Sequence, residues 1–127
     1  VRFVYREVFF DKFGLWAAMV ARCGGEMKYF GIADMIYDTQ KDWIGDGQEQ
    51  AIADNLRKIG LKAGIAPDTL DACMKDNAMA KSLVATYQKN ADADGIESTP
   101  SFLIDGQKYS NMSYEEFSKI LDEKLGG

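Results

Sequence analysis

The hydrophobic period of this chain changes twice, and that pattern limits its possible folds more than any other feature. Val1 to Val8 is dense in β-branched and aromatic residues (Val1, Phe3, Val4, Tyr5, Val8), the composition of a strand. The run is too apolar for a half-exposed strand, so it predicts an interior one. Helical spacing then takes over. Trp16, Met19, Val20 and Cys23 fall at i, i+3, i+4 and i+7, on one face of a helix that Gly24 and Gly25 stop. A second helix from about Glu26 places Tyr29, Ala33, Ile36 and Tyr37 on its inner face. Trp43 to Gly47 reads as a turn-rich connection.

A third helix carries Ile52, Leu56, Ile59 and Ala63 and closes near Gly64. Pro67 opens a short fourth helix with Leu70, Cys73 and Met74 inward. A longer fifth runs from about Met79 to Ala93, with Leu83, Val84 and Tyr87 inward and Gly95 as its stop. The period then returns to two. Ser101 to Asp105 predicts a strand, Asp105-Gly106 a hairpin turn, and Gln107 to Tyr109 a return strand. Ser113 and Glu116 make a capping box for a final helix, with Phe117, Ile120, Leu121 and Leu125 on one face. Strand, five helices, hairpin, helix is an α/β order with a helical block between strands.

The chain has 127 residues, enough for one domain. Its net charge of −5 argues against a nucleic-acid partner, since binding a phosphate backbone requires clustered Lys and Arg. Arg57, Lys58 and Lys62 have Asp54 and Asp68 nearby in sequence, the mark of a solvated surface. There is no His, which excludes Ser-His-Asp and Cys-His catalysis and imidazole metal ligation. No apolar run approaches the length of a membrane span. The chain opens inside a strand pattern at Val1, so we expect an upstream segment to be missing, and a leader to have been removable.

Four features could carry chemistry. A proline at the mouth of a strand, Pro100, donates nothing to a ladder and is tolerated only at the first position. Cys23 and Cys73 are fifty residues apart and form no Cys-x-x-Cys motif. Both sit on inward helical faces, which fits either two buried thiols or one structural disulfide in an oxidising compartment. Asn90 to Gly95 matches the first half of a calcium loop. The second half fails, because the twelfth position is Ser101 with Pro100 before it, so no metal is expected. Phe9, Phe10, Phe13, Trp16, Tyr29 and Phe30 have the spacing of core residues rather than of a cofactor box.

Taken in order, several segments resemble the DsbA-like branch of the thioredoxin superfamily. They are Val1-Arg2-Phe3-Val4-Tyr5-Arg6-Glu7, the Ala-rich helix ending Ala21-Arg22-Cys23, Ala72-Cys73, Ser98-Thr99-Pro100-Ser101-Phe102, and Ile104-Asp105-Gly106. The resemblance covers essentially the whole chain. It implies a thioredoxin-like sheet, partial here, laid out as a strand over 1–9, a helical insertion over 10–94, and a cis-Pro loop, hairpin and helix over 96–127. It implies a cis Thr99–Pro100 bond, with Ser98, Thr99 and Pro100 facing a substrate peptide, and a second, non-catalytic disulfide between Cys23 and Cys73. The catalytic Cys-x-x-Cys of that family precedes the strand that Val1 begins, so it is expected upstream and this chain alone is expected to be inactive.

The function implied is thiol–disulfide exchange on cysteines of client proteins, outside the cytoplasm (in a bacterium, the periplasm), with a membrane or soluble redox partner and no cofactor. Two further readings share the fold. Glutathione-dependent kappa-transferase or isomerase-like enzymes also carry a helical insertion but typically have Val before the cis-Pro, where Thr99 stands. A redox-inactive binding module would take peptide without exchange. An incomplete sheet also predicts self-association through its open edge.

Overall fold

The computed structural model describes residues 1–126. It contains six α-helices, a two-stranded hairpin and a seventh helix among the described residues. They are α1 (Lys12–Arg22), α2 (Glu26–Asp38), α3 (Gln40–Ile44), α4 (Glu49–Lys62), α5 (Pro67–Met74), α6 (Asn77–Asp94), β1 (Phe102–Ile104), β2 (Gln107–Tyr109) and α7 (Tyr114–Lys124). The chain divides into two compact units, Val1–Tyr87 and Gln88–Gly127, and the division falls within α6.

The first unit is a helical block built on α1. Asp11 caps α1, its carboxylate accepting from the Gly14 N–H at 2.9 Å. Ala17, Ala18, Met19, Val20 and Ala21 are buried. The small residues let α2, α4 and α5 come in close around this helix. Val20, Ile32, Ile52, Leu56 and Leu70 are fully buried side chains of the core. Each such residue contributes about 1.5–3 kcal/mol of burial. The approach of α5 to α4 depends on Gly60: a Cβ there would lie 2.8 Å from both methyls of Leu70, which has no room to withdraw.

Several expectations change in this unit. Val1 to Val8 forms no strand. A strand needs a ladder partner, and among the described residues the only sheet pairs β1 with β2. Side chains hold the segment instead. The Tyr5 ring stands edge-on to Tyr29 and Phe30, the Tyr5 and Tyr37 hydroxyls hydrogen-bond at 2.7 Å, and Glu7 pairs with Arg22. Tyr37 is therefore exposed rather than inward, and Phe10 and Phe30 are exposed rather than core. The connection over 43–47 begins as the helix α3. Trp43 is buried there, its indole N–H donating to the Ile36 carbonyl at 2.8 Å. That short helix makes six helices before the hairpin instead of five.

The second unit has no residue in the fully buried class. Its hairpin pairs Phe102 with Tyr109, Leu103 with Lys108 and Ile104 with Gln107, antiparallel. Asp105 and Gly106 both have positive φ, +50° and +81°, as a type I′ turn requires. The Phe102 and Phe117 rings, 5.0 Å apart, bring β1 and α7 together. The capping box at the start of α7 is complete: the Glu116 N–H donates to Ser113 Oγ, and the Ser113 N–H to the Glu116 carboxylate. Leu125, expected on the inner face of α7, is exposed at its C-cap.

Candidate functional site

The loop between α6 and β1 is built from its two ends. Gly95 takes a positive φ of +64°, and the Ile96 N–H donates to the Ala91 carbonyl at 2.9 Å. This six-to-one bond is the Schellman ending of α6, and it turns the chain sharply away from the helix axis. Lys108 reaches from β2 and donates to the Gly95 carbonyl. At the other end the Ser101 hydroxyl donates to the Ser98 carbonyl at 2.6 Å, closing the loop over Thr99 and Pro100. The Thr99–Pro100 bond is cis. Ser98, Thr99 and Pro100 are all exposed.

The chemical capacity of this loop lies in its backbone. Pro100 has no N–H. The N–H and C=O of Thr99 have no hydrogen-bond partner within the protein among the described residues. Exposed and unpaired, they are free to pair with an extended polypeptide. Sequence reasoning placed Ser98, Thr99 and Pro100 in this loop but missed the Lys108 clamp. The available signal was the hairpin register, which puts Lys108 opposite Leu103 on the strand that leaves the loop.

Cys23 and Cys73 are joined as a disulfide, with their Cα atoms 5.8 Å apart. Cys23 is the C-cap of α1 and Cys73 lies near the end of α5, so the bond staples two helices across fifty residues of sequence. Both are half-buried, and no cysteine is free. Neither sulfur is a thiolate while the bond stands. The neighbouring cation Arg22 is engaged by Glu7 and by the Tyr29 ring, 4.9 Å from its guanidinium.

Three further polar clusters tie the first unit together. Burial pushes the Tyr5 hydroxyl far above the usual phenol range, helped by its bond to Tyr37. Burial does the same to Tyr29, with the Glu7 carboxylate adding to it. Both phenols stay protonated at neutral pH. Arg57 makes two hydrogen bonds to the Asp71 carboxylate, at 2.6 and 3.2 Å, tying α4 to α5. These hydrogen bonds hold the Asp71 carboxyl below its ordinary range. Asn90 to Asp94 is the helical end of α6, not a loop, and no group of three or more His, Cys, Asp or Glu is gathered among the described residues. Among the described residues, no helix is long and apolar enough to cross a membrane.

The family described as Thioredoxin matches residues 1–123. A protein of Rickettsia typhi with the provisional name protein-disulfide oxidoreductase is 29% identical over 126 residues, covering 98% of this chain and 46% of the relative. A protein of the same provisional name from Rickettsia prowazekii is also 29% identical, over 98% of this chain and 45% of its own length. One from Rickettsia bellii is 27% identical, over 98% and 48%. This chain thus spans about half the length of the curated relatives it matches. No solved structure matches it.

Proposed function

This chain belongs to the thioredoxin family, and on that footing we propose that it is the substrate-loop portion of a DsbA-type thiol–disulfide oxidoreductase. The observation that carries the proposal is the exposed Ser98-Thr99-Pro100 loop, with the Thr99 backbone unpaired, between a helical block and a hairpin. A client polypeptide pairs with Thr99 in the manner of an added strand, which brings a client cysteine to the reacting sulfurs. Exchange then follows the usual course. A client thiolate attacks a disulfide sulfur of the enzyme and forms a mixed disulfide, releasing one enzyme thiolate. A second client thiolate resolves it. Two electrons and two protons leave the client, which gains a disulfide, and the enzyme pair ends as two thiols.

In this reading the reactive pair is not Cys23–Cys73. Those residues lie fifty apart rather than as Cys-x-x-Cys, and their neighbouring cation Arg22 is engaged by Glu7 and the Tyr29 ring instead of lowering a thiol pKa. The 127 residues alone then bind clients without exchanging with them. The structural disulfide favours an oxidising, extracytoplasmic compartment such as the periplasm, where a membrane or soluble redox partner re-oxidises the enzyme. The absence of His and the acidic balance are compatible with protein clients and disfavour nucleic acid.

The test compares dithiol-peptide oxidation by a protein of the relatives' full length with that by the 127-residue chain. Exchange by the longer protein alone is expected. Exchange by the 127-residue chain would make Cys23–Cys73 the redox pair and overturn the assignment. No exchange by either would move the reading to a redox-inactive peptide-binding module.

A further inference from the structure

We infer that Ser101 and Lys108 are positioning residues that hold the Thr99 backbone edge in a shape ready for a client strand. The inference rests on the reading of residues 96–102 as the substrate loop, and it adds two residues that act through that loop. The loop has little else to hold it. Residues 97–100 are exposed, and neither they nor Ser101 makes a backbone–backbone hydrogen bond. What fixes the segment is one hydrogen bond from a side chain at each end.

The two bonds have different jobs. Lys108 donates to the carbonyl of Gly95, the residue that ends α6, so its ammonium also sits at the negative end of the helix. Because Lys108 is paired in register with Leu103, the clamp ties the helix stop to the hairpin that leaves the loop. Entry and exit of the loop are thereby set at a fixed spacing. The Ser101 hydroxyl occupies the carbonyl of Ser98 at 2.6 Å. With that acceptor taken and no donor on Pro100, Thr99 is the central residue of the turn that keeps both its N–H and its C=O unpaired. The bond also fixes the direction in which the unpaired groups of the turn face a client strand. Pre-ordering this edge removes an entropic cost from binding.

The experiment uses the 127-residue chain and a short peptide carrying one S-methylated cysteine, which cannot exchange. Peptide affinity is read by NMR titration, loop order by backbone amide order parameters from NMR relaxation over residues 96–102, and the global fold by Trp16 and Trp43 fluorescence during denaturation. Ser101→Ala and Lys108→Met are each expected to weaken peptide binding about fivefold, the population shift that one ordinary hydrogen bond supports. Order parameters of the loop amides should fall toward the values of a flexible segment, with the denaturation midpoint unchanged. Ser101→Thr and Lys108→Arg should restore both. Unchanged order parameters in Ser101→Ala and Lys108→Met overturn the inference, whatever the peptide does. Lowered order parameters in a protein that does not bind the peptide keep the bracing and remove the substrate-loop reading.

Discussion

The two units of this chain reach order by different means. Residues 1–87 bury five side chains completely, add a fifty-residue disulfide loop, and pack α1 against three other helices. Residues 88–126 bury nothing completely. They depend on a I′ turn, a ring pair, a capping box and the Lys108 and Ser101 bonds. The first unit is rigid through its core, and the second through local hydrogen-bonding geometry. The candidate binding loop lies in the second, where the backbone can be left unpaired because no dense core forces it inward. The dense core and the candidate binding loop thus fall in separate regions of the sequence.

Both tryptophans of the chain, Trp16 and Trp43, lie in the first unit, so fluorescence follows that unit and amide exchange of the hairpin follows the second. This gives the comparison direct tests. The largest effect is expected from the disulfide. Replacing Cys23 and Cys73 by Ala should cost about 4 kcal/mol in the chain-entropy account of a fifty-residue loop. Chemical denaturation followed by fluorescence measures it. Leu56→Ala should cost about 3 kcal/mol by the same measurement, the usual cost of a cavity at a fully buried leucine. Equal losses from a half-buried residue of the second unit, such as Ile120→Ala, would erase the contrast between the units.

Ser113→Ala removes the side-chain half of the capping box and should cost about 1 kcal/mol. Its effect should appear as faster amide exchange in the first turn of α7, with little change in fluorescence. The smallest expected effect is in acid. Arg57 holds the Asp71 carboxyl below its ordinary range, so the ionised carboxylate favours the folded state. That contribution is complete above the unfolded carboxyl pKa of about 3.9 and is lost as pH falls through the lower folded value. Asp71→Asn should therefore lower stability slightly at neutral pH and flatten its acid dependence. Both groups are at the surface, and the effect should shrink further in high salt.

The helical part of the fold was legible because each helix has its own periodic face and its own punctuation. Ile52 and Leu56 are buried, Pro67 opens α5, and Gly95 ends α6. The hairpin was legible from Asp105-Gly106 and the capping box from Ser113 and Glu116, since both are local chemistry. The failures share one cause. Val1 to Val8 has strand composition, but strand formation depends on a partner elsewhere, which composition does not contain. Tyr37 was placed inward by spacing alone, yet its hydroxyl finds Tyr5 at the surface. At the site, Pro100 stood out because a proline gives no donor to a strand ladder, and Ser98 and Thr99 stood out only through the resemblance to the DsbA-like family. Lys108 did not, because a lysine in a short exposed strand looks like any solvated charge until the register places it beside Gly95.

The central claim is that this chain carries the recognition edge and not the reacting sulfurs. The most direct test is amide chemical-shift mapping of the 127-residue chain with a short peptide, first with its cysteine S-methylated and then with the free thiol. The account predicts shifts concentrated at Ser98, Thr99, Ser101 and Phe102 in both cases, and no covalent adduct by mass spectrometry with the free thiol. Shifts gathered around Cys23 and Cys73, or a mixed disulfide to either of them, would contradict it.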